Sequence, residues 1–115
     1  MKITQFEDIE SWKIAQNLAR DIYAVCENFR DYGFRDQITR ATVSISNNIA
    51  EWYERQSNNE FRKFLYIAKG SSAEVRSMLY IAKDLWYCTH EEFERLYSQT
   101  VSISKLLSRL ITSLW

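Results

Sequence analysis

Basic residues recur at a fixed interval in the third quarter of the chain. Arg62, Lys69, Arg76 and Lys83 lie seven residues apart, and Lys63 adjoins the first of them. A seven-residue interval keeps side chains on one face of a helix with slow drift. A row of guanidinium and ammonium groups is the chemistry that contacts phosphates. The pattern therefore indicates a candidate nucleic-acid-binding surface made of these five residues.

The same charge pattern has a structural interpretation that the sequence leaves open. Glu74 is the only acid between Phe61 and Lys83, so the row is little neutralised within its own segment. It can still be an ordinary solvated helix face, or form ion pairs with acids of the first helix such as Glu10 and Asp21.

A second stripe, polar rather than basic, runs along the predicted second helix. Its members recur every three or four residues beside the core positions; they are Gln37, Arg40, Ser44, Asn48 and Glu51. We interpret them as a structural hydrogen-bonded network, because buried charges need partners; the alternative is a binding or catalytic surface. Arg40 and Glu51 stand about 16 Å apart along a helix, so each is expected to meet a neighbouring helix.

Residue types for catalysis or metal binding are sparse. The single histidine, His90, is followed by Glu91, Glu92 and Glu94, which suit the first turn of a helix as acids complementing its dipole. A di-iron bundle needs Glu-x-x-His on two helices, and that pattern is absent. Residues 69–72 lie mid-helix, where bonded backbone amides cannot cradle phosphate. We expect no enzyme activity, no catalytic residue, no metal and no cofactor.

The composition bounds the class of protein. The chain has 115 residues, 46% of them hydrophobic, with 15 basic and 15 acidic side chains. That length supports one domain, and zero net charge excludes a uniformly basic coat protein or a polybasic membrane anchor. No long apolar run predicts a membrane span or an export signal. Cys26 and Cys88 lack CxxC spacing and are expected to be reduced packing residues, with a disulfide between them as the open alternative.

Few helix breakers interrupt the chain, since it contains two glycines and no proline. Apolar residues recur with a period of 3.6, which predicts an all-α fold. We expect a single domain over 1–115 with helices at about 7–29, 36–54, 58–87 and 90–114, and a loop with a flexible Gly33 between the first two. Short connections then favour an antiparallel, up-down-up-down four-helix bundle.

Local signals refine two of these helices. Ser57 with Glu60, and Thr89 with Glu92, have the spacing of capping boxes at the starts of helices three and four. Gly70 falls in the middle of helix three, where glycine is unfavourable by about 1 kcal/mol relative to alanine. We expect a neighbouring helix to approach closely there.

The fourth helix is more broadly apolar than one core requires. Its apolar arc covers roughly 220° of the helical wheel, against a stripe of about 100° or a little more for a core-facing helix. Surplus apolar surface on an outer helix favours burial against another subunit, although the bundle core can also accommodate it. The candidate interface residues are Ile103, Leu106, Leu110 and Leu114.

Several motifs together resemble one protein family. They are Phe6, Trp12, Ala15 and Leu18, then Gln37-Ile38-Thr39-Arg40-Ala41, Ser44-Ile45, Asn48-Ile49-Ala50-Glu51, and Phe64-Leu65, Ala68, Gly70-Ser71 and Glu74. On these motifs, which extend to about residue 85, the chain resembles the four-helix bundle proteins of the 23S rRNA intervening-sequence family. Two positions depart from its pattern. Trp52 replaces a usual glycine and is expected to extend helix two, and Ser46 replaces a frequent proline.

The resemblance implies a small cytoplasmic bacterial protein without catalytic residues, whose polar stripe is shared with its relatives. Accessory proteins of diversity-generating retroelements, which are relatives, form homopentamers, bind nucleic acid and partner a reverse transcriptase; they tend to be strongly basic, whereas this chain is neutral. We therefore expect a non-enzymatic homo-oligomeric scaffold, pentameric by that resemblance. Its expected partners are RNA or DNA through helix three, and a reverse transcriptase or other protein, with no membrane. The alternative is a protein-only adaptor that binds another polypeptide without nucleic acid.

Overall fold

Helices make up nearly all of the described structure. The computed structural model describes residues 3–55 and 61–114. After a 3₁₀ turn at Phe6–Asp8 come α1 (Glu10–Cys26), α2 (Tyr32–Glu54), α3 (Arg62–Asp84) and α4 (His90–Ser113). No strand occurs in these two stretches, and the four helices pack together, so the predicted four-helix bundle is confirmed.

The helices pack as a closed ring of neighbours. α1 lies against α2 and α4, and α3 lies against the same two helices, whereas no Cα atoms of the diagonal pairs come within 8 Å of each other in the described residues. Hydrogen bonds join Gln37 to Glu74 and Ser44 to Ser71. The residue numbers of the bonded partners on α3 therefore decrease as those on α2 increase, as expected for two antiparallel helices.

Each helix contributes one stripe of aliphatic side chains to the core. The largest fully buried members are Leu18, Ile22, Ile38, Ile45, Ile49, Leu65, Leu79, Leu96, Ile103 and Leu107. Burying one such side chain stabilises the fold by about 1.5–3 kcal/mol. This stripe fixes which remaining residues point outward, and hence where the candidate sites lie.

The two departures from the family pattern both serve packing. Trp52 is buried and stacks on Phe61 with ring centroids 6.5 Å apart, and α2 ends at Glu54 as predicted. Ser46 is buried, and its Oγ accepts a 3.1 Å hydrogen bond from Gln16 Nε2 on α1. The serine therefore joins α1 to α2.

The start of α2 corrects the predicted loop. The helix begins at Tyr32 rather than near residue 36, because Asp31 caps it: its Oδ1 accepts a 3.1 Å hydrogen bond from Phe34 N. That bond, together with one from the Tyr87 hydroxyl, lowers the pKa of Asp31. Gly33 lies inside the first turn with negative φ, so its conformational freedom is not used.

Of the two predicted capping boxes, one is confirmed and one lies outside the described residues. Thr89 Oγ1 accepts from Glu92 N at 3.1 Å, and Glu92 Oε1 accepts from Thr89 N at 2.8 Å. The Ser57–Glu60 pair falls in residues 56–60. The expectation for Gly70 is wrong: a methyl group added there would meet nothing within 4 Å, so no helix approaches it.

Other helix ends differ by a few residues from the predictions. Helix one is divided into the 3₁₀ turn and α1, which ends at Cys26 instead of 29. Helix three ends at Asp84 rather than 87, because Trp86 turns the chain with φ of 62°. The reversal needs a left-handed residue, which glycine usually supplies.

Both cysteines are buried and unlinked. Burial raises the pKa of the Cys26 thiol to about 11 and raises that of Cys88 as well, which keeps both as unreactive packing groups. No helix within 3–55 and 61–114 has the length and hydropathy needed to cross a membrane.

Candidate nucleic-acid interface

The predicted basic residues lie along the edge of α3 that faces α4. Arg76 Nη1 donates to Ser104 Oγ of α4 at 3.4 Å, and Lys83 Nζ lies 4.7 Å from the ring centroid of Phe93 of α4. The seven-residue interval places Arg62 and Lys69 on the same side. We call Arg62, Lys69, Arg76 and Lys83 the basic edge.

Acidic side chains do not neutralise most of this edge. Lys69 is exposed, and Arg76 and Lys83 are half-buried. None of these three forms an ion pair with a carboxylate of the described chain. Glu74 faces the other way, where its Oε2 accepts a 3.3 Å hydrogen bond from Gln37 of α2. The three cations therefore keep their charge available to an anionic ligand.

In the described residues no acid of α1 forms an ion pair with Lys69, Arg76 or Lys83, so the predicted alternative of ion pairs with α1 is wrong, whereas the solvated-face interpretation stays a prediction. α1 and α3 are diagonal in the bundle, and their Cα atoms do not come within 8 Å of each other in the described stretches. Asp21 instead faces α4, where its Oδ2 accepts a 2.9 Å hydrogen bond from Gln99 Nε2 and lies 3.8 Å from Arg95 Nε.

Of the other two predicted binding residues, Arg62 lies at the start of the basic edge and Lys63 lies off it. Arg62 is the first residue of α3 and is half-buried. Lys63 is exposed, with its Nζ 5.5 Å from the Phe64 ring centroid. One residue along a helix is a rotation of about 100°, so Lys63 lies off the basic edge.

An aromatic cluster adjoins the basic edge, and the sequence analysis missed it. Tyr80 packs on Phe93 and Tyr97 with centroid distances of 5.5 and 5.6 Å. Its hydroxyl donates to Tyr97 Oη at 3.1 Å, and this bond raises the pKa of Tyr80. Tyr80 remains 45% exposed and lies 5.5 Å from Lys83 Nζ. An exposed ring held beside a cation is the arrangement on which nucleobases stack.

The polar stripe of α2 joins that helix to α3. Ser44 Oγ lies 2.9 Å from Ser71 Oγ of α3, and Asn48 Nδ2 donates to Ser44 Oγ at 3.0 Å and to its carbonyl at 2.8 Å. Gln37 adds its bond to Glu74. These contacts hold the two helices in register.

Contrary to the prediction, the two charged members of the stripe do not link α2 to a neighbouring helix. Glu51 pairs at 2.7 Å with Arg55, the residue that follows its own helix. Arg40 is exposed and borders an open groove of about 520 Å³, beside Tyr23 of α1. This ion pair could have been predicted from the sequence, because Glu51 and Arg55 are four residues apart.

The candidate interface residues of α4 divide into two groups. Ile103 is fully buried in the core of its own chain, so it has no surface left for another subunit. Leu106, Leu110 and Leu114 are only half-buried. Leu106 and Leu110 form, with Ile9, the walls of an apolar groove of about 250 Å³.

Groups of acidic, histidine or cysteine side chains that could share a metal ion are absent from residues 3–55 and 61–114.

The two comparisons that found matches agree on the family. The model of the family described as 23S rRNA-intervening sequence protein matches residues 7–109. The chain belongs to this family. No curated protein matches it.

A solved structure is similar in fold to this member of the 23S rRNA intervening-sequence family. The chain is similar to a protein of unknown function from the S23 ribosomal protein family of Bacteroides thetaiotaomicron, solved at 1.70 Å. The two are 25% identical with a TM-score of 0.78, over 89% of this chain and 95% of the other. The two proteins therefore share this bundle over most of the length of both chains.

Proposed function

We propose that this protein is a non-catalytic homo-oligomeric scaffold that binds nucleic acid through the basic edge of α3. One observation carries the proposal: Lys69, Arg76 and Lys83 share an edge, and no carboxylate of the described residues pairs with them. The family resemblance favours five copies.

The spacing along the edge suits an extended polyanion. Successive cations are about 10 Å apart at 1.5 Å per residue. Ser104 holds Arg76, and the Phe93 ring holds Lys83, so less side-chain freedom is lost on binding than for a free lysine. Repetition of the edge around an oligomer would give a larger positive surface, although each chain has zero net charge.

A binding titration tests the nucleic-acid role. Purified protein is titrated against structured RNA and duplex DNA at low and at physiological salt, as wild type and as Lys69→Glu with Arg76→Glu. We expect wild-type binding to weaken steeply with salt, because phosphate contacts release counterions, and to be lost in the double variant.

A charge-matched control separates this edge from net charge. Lys13 and Arg20 are exposed on α1, and reversing both gives the same change in total charge. That control should bind like the wild type. Because Arg76 is bonded to Ser104, Lys69→Glu alone serves as a variant without that risk to folding. Absence of wild-type binding at low salt would reject the role and favour the protein-only adaptor.

Self-association is proposed from the half-buried leucines of α4. A band of partly exposed apolar side chains is typical of a subunit interface. Sedimentation velocity at micromolar concentration should show an assembly, and Leu106→Asp with Leu110→Asp should dissociate it. A monomeric wild type would contradict the scaffold.

A further inference from the structure

Part of α3 repeats its own sequence. Residues 62–69 read Arg-Lys-Phe-Leu-Tyr-Ile-Ala-Lys, and residues 76–83 read Arg-Ser-Met-Leu-Tyr-Ile-Ala-Lys, so six of the eight positions are identical. The two segments start two heptads apart, which places equivalent residues on nearly the same face of the helix, with a drift of about 40°. Equivalent residues lie about 21 Å apart along the axis at 1.5 Å per residue. α3 therefore presents one set of side chains twice.

Core packing explains only part of this repeat. The repeated leucine and alanine are buried in both segments and belong to the core; they are Leu65, Leu79, Ala68 and Ala82. The repeated tyrosine is exposed in both segments, by 49% at Tyr66 and by 45% at Tyr80. Burial therefore does not account for an aromatic side chain that recurs on the surface in the same register.

Each of these tyrosines lies between two cations of the basic edge. An arginine stands four residues before it and a lysine three residues after it, and both spacings bring side chains together on a helix surface. The first trio is Arg62, Tyr66 and Lys69, and the second trio is Arg76, Tyr80 and Lys83. An exposed ring between two cations matches the two parts of a nucleotide, because a base stacks on the ring and phosphates attract the cations.

Contacts with α4 hold the second trio in place. The Tyr80 hydroxyl donates to Tyr97 Oη at 3.1 Å, and the Tyr80 ring packs on two rings of α4. The hydroxyl bond is the main reason why the pKa of Tyr80 is raised; of the nearby charges, Arg76 lowers this pKa and Glu94 raises it. Glu94 itself lies 3.8 Å from His90 Nε2. A ring that is already oriented loses little freedom when a base stacks on it.

The surface between the two tyrosines carries only small side chains beside the cations. Ala73 occupies the same heptad position halfway between Tyr66 and Tyr80, and Gly70 and Ser77 lie on the side away from the cations at 100° per residue. A methyl group added at Gly70 would meet nothing within 4 Å, so this glycine is not explained by packing within the chain. A strand can therefore lie along α3 from one tyrosine to the other with its phosphates toward the basic edge.

We propose that the two trios are two binding sites for unpaired nucleotides, so that the basic edge takes a single strand of nucleic acid. In each trio the tyrosine stacks on a base, and the arginine and lysine contact phosphates. The bases of a duplex are stacked on one another and are not open to a side chain, so a duplex contacts the cations alone. The inference rests on the proposed nucleic-acid role and names the form of nucleic acid that this edge binds.

The repeated isoleucine provides a matched control. Ile67 and Ile81 are 45% and 48% exposed, and each follows a tyrosine by one residue, a rotation of about 100°. A polypeptide partner on this part of α3 would bury the isoleucines together with the tyrosines. A base stacked on the tyrosine ring leaves them in solvent.

Fluorescence anisotropy with labelled oligouridine, oligothymidine and a DNA duplex of the same length tests the two sites. The wild type should bind both single strands more tightly than the duplex at equal salt. Tyr66→Ala with Tyr80→Ala should lower single-strand affinity by about 25-fold or more, since each lost stacking contact lowers it about fivefold or more. Duplex affinity and the slope of log affinity against log salt should stay unchanged, because neutral tyrosines release no counterions.

Three further variants make the result specific to the rings. Tyr66→Phe with Tyr80→Phe keeps both rings and should bind like the wild type. Ile67→Ala with Ile81→Ala should also bind like the wild type. Tyr66→Ala alone leaves the contacts of Tyr80 with α4 in place, so its loss of about fivefold does not depend on the packing of the second trio.

Three results would overturn the two sites while leaving the nucleic-acid role in place. One is unchanged single-strand affinity in Tyr66→Ala with Tyr80→Ala. Another is an equal loss of duplex affinity in that variant, and the third is an equal loss in Ile67→Ala with Ile81→Ala. A wild type that binds neither the single strands nor the duplex at low salt would instead overturn the proposed function itself.

Discussion

The two edges of α3 are both polar, but their polar groups differ in whether they have partners within the chain. On the edge facing α2, Ser71 and Glu74 are bonded to Ser44 and Gln37. On the edge facing α4, Lys69 is exposed without an ion pair to any described carboxylate, and Arg76 has only the hydroxyl of Ser104. One edge satisfies its polar groups within the chain, whereas the other keeps positive charge toward solvent.

Polarity alone therefore does not distinguish a structural from a binding surface. What distinguishes them is whether each polar group already has a partner of matching chemistry. Hydrogen bonds between helices fix register, while cations without acids raise the local potential and attract polyanions. By this criterion the α2 edge is structural and the α4 edge is the candidate interface.

The largest expected effect comes from neutralising the α4 edge. Changing Lys69, Arg76 and Lys83 to glutamine together should lower nucleic-acid affinity by about 100-fold at low salt, because each charge-assisted contact to phosphate contributes on the order of 1 kcal/mol or more. Fluorescence anisotropy with labelled RNA and DNA measures the change.

Two controls keep that result specific. Glutamine at the exposed Lys13, Arg20 and Arg30 removes the same charge elsewhere, and Ser71→Ala alters the α2 edge without altering charge. Both should bind with wild-type affinity. An equal loss in the charge control would assign binding to overall charge instead of the basic edge.

A smaller effect, on stability rather than binding, is expected from the α2 edge. Ser44→Ala removes the Oγ that contacts Ser71 and accepts from Asn48. We expect a loss of about 1–2 kcal/mol, seen as a Tm lower by roughly 4–12 °C. Ser77→Ala, at an exposed site on α3, should leave Tm unchanged. A Tm equal to that of the wild type in Ser44→Ala would mean that this contact does not hold the helices.

The smallest effect is expected at the exposed end of the same edge. Gln37 and Glu74 are both exposed and 3.3 Å apart, so solvent competes for their hydrogen bond. A double-mutant cycle of Gln37→Ala and Glu74→Ala should give a coupling of about 0.5 kcal/mol or less. Urea unfolding of the four proteins measures this coupling free energy. A value larger than that of a buried hydrogen-bonded pair would show that solvent exposure does not weaken the Gln37–Glu74 bond.

The bundle could be predicted because its signals are local. Apolar periodicity located four helices, and the Thr89–Glu92 spacing located the start of α4. The start of α2 was missed because Gly33 suggested a loop, although Asp31, three residues before Phe34, already offered a cap. Nothing local indicated that Trp86 would adopt a left-handed conformation, since glycine is the usual signal for it.

The candidate sites were predictable only as far as one helix defines them. The seven-residue interval placed the basic residues on one face, but which helix that face meets depends on the packing order of the bundle. In the bundle α3 is a neighbour of α4 and not of α1, so the acids of α1 lie away from the basic edge and Ser104 of α4 lies beside Arg76. Likewise, the apolar arc of α4 could not tell Ile103, which is fully buried, from Leu106, which is half-buried.

The salt dependence of binding in wild type and Lys69→Glu tests the central claim most directly. Lys69 is exposed, so its replacement leaves packing unchanged. If the basic edge contacts phosphate, the slope of log affinity against log salt should become shallower by about 1 for the lost contact. An unchanged slope and affinity in Lys69→Glu would contradict the assignment of this edge as the nucleic-acid interface.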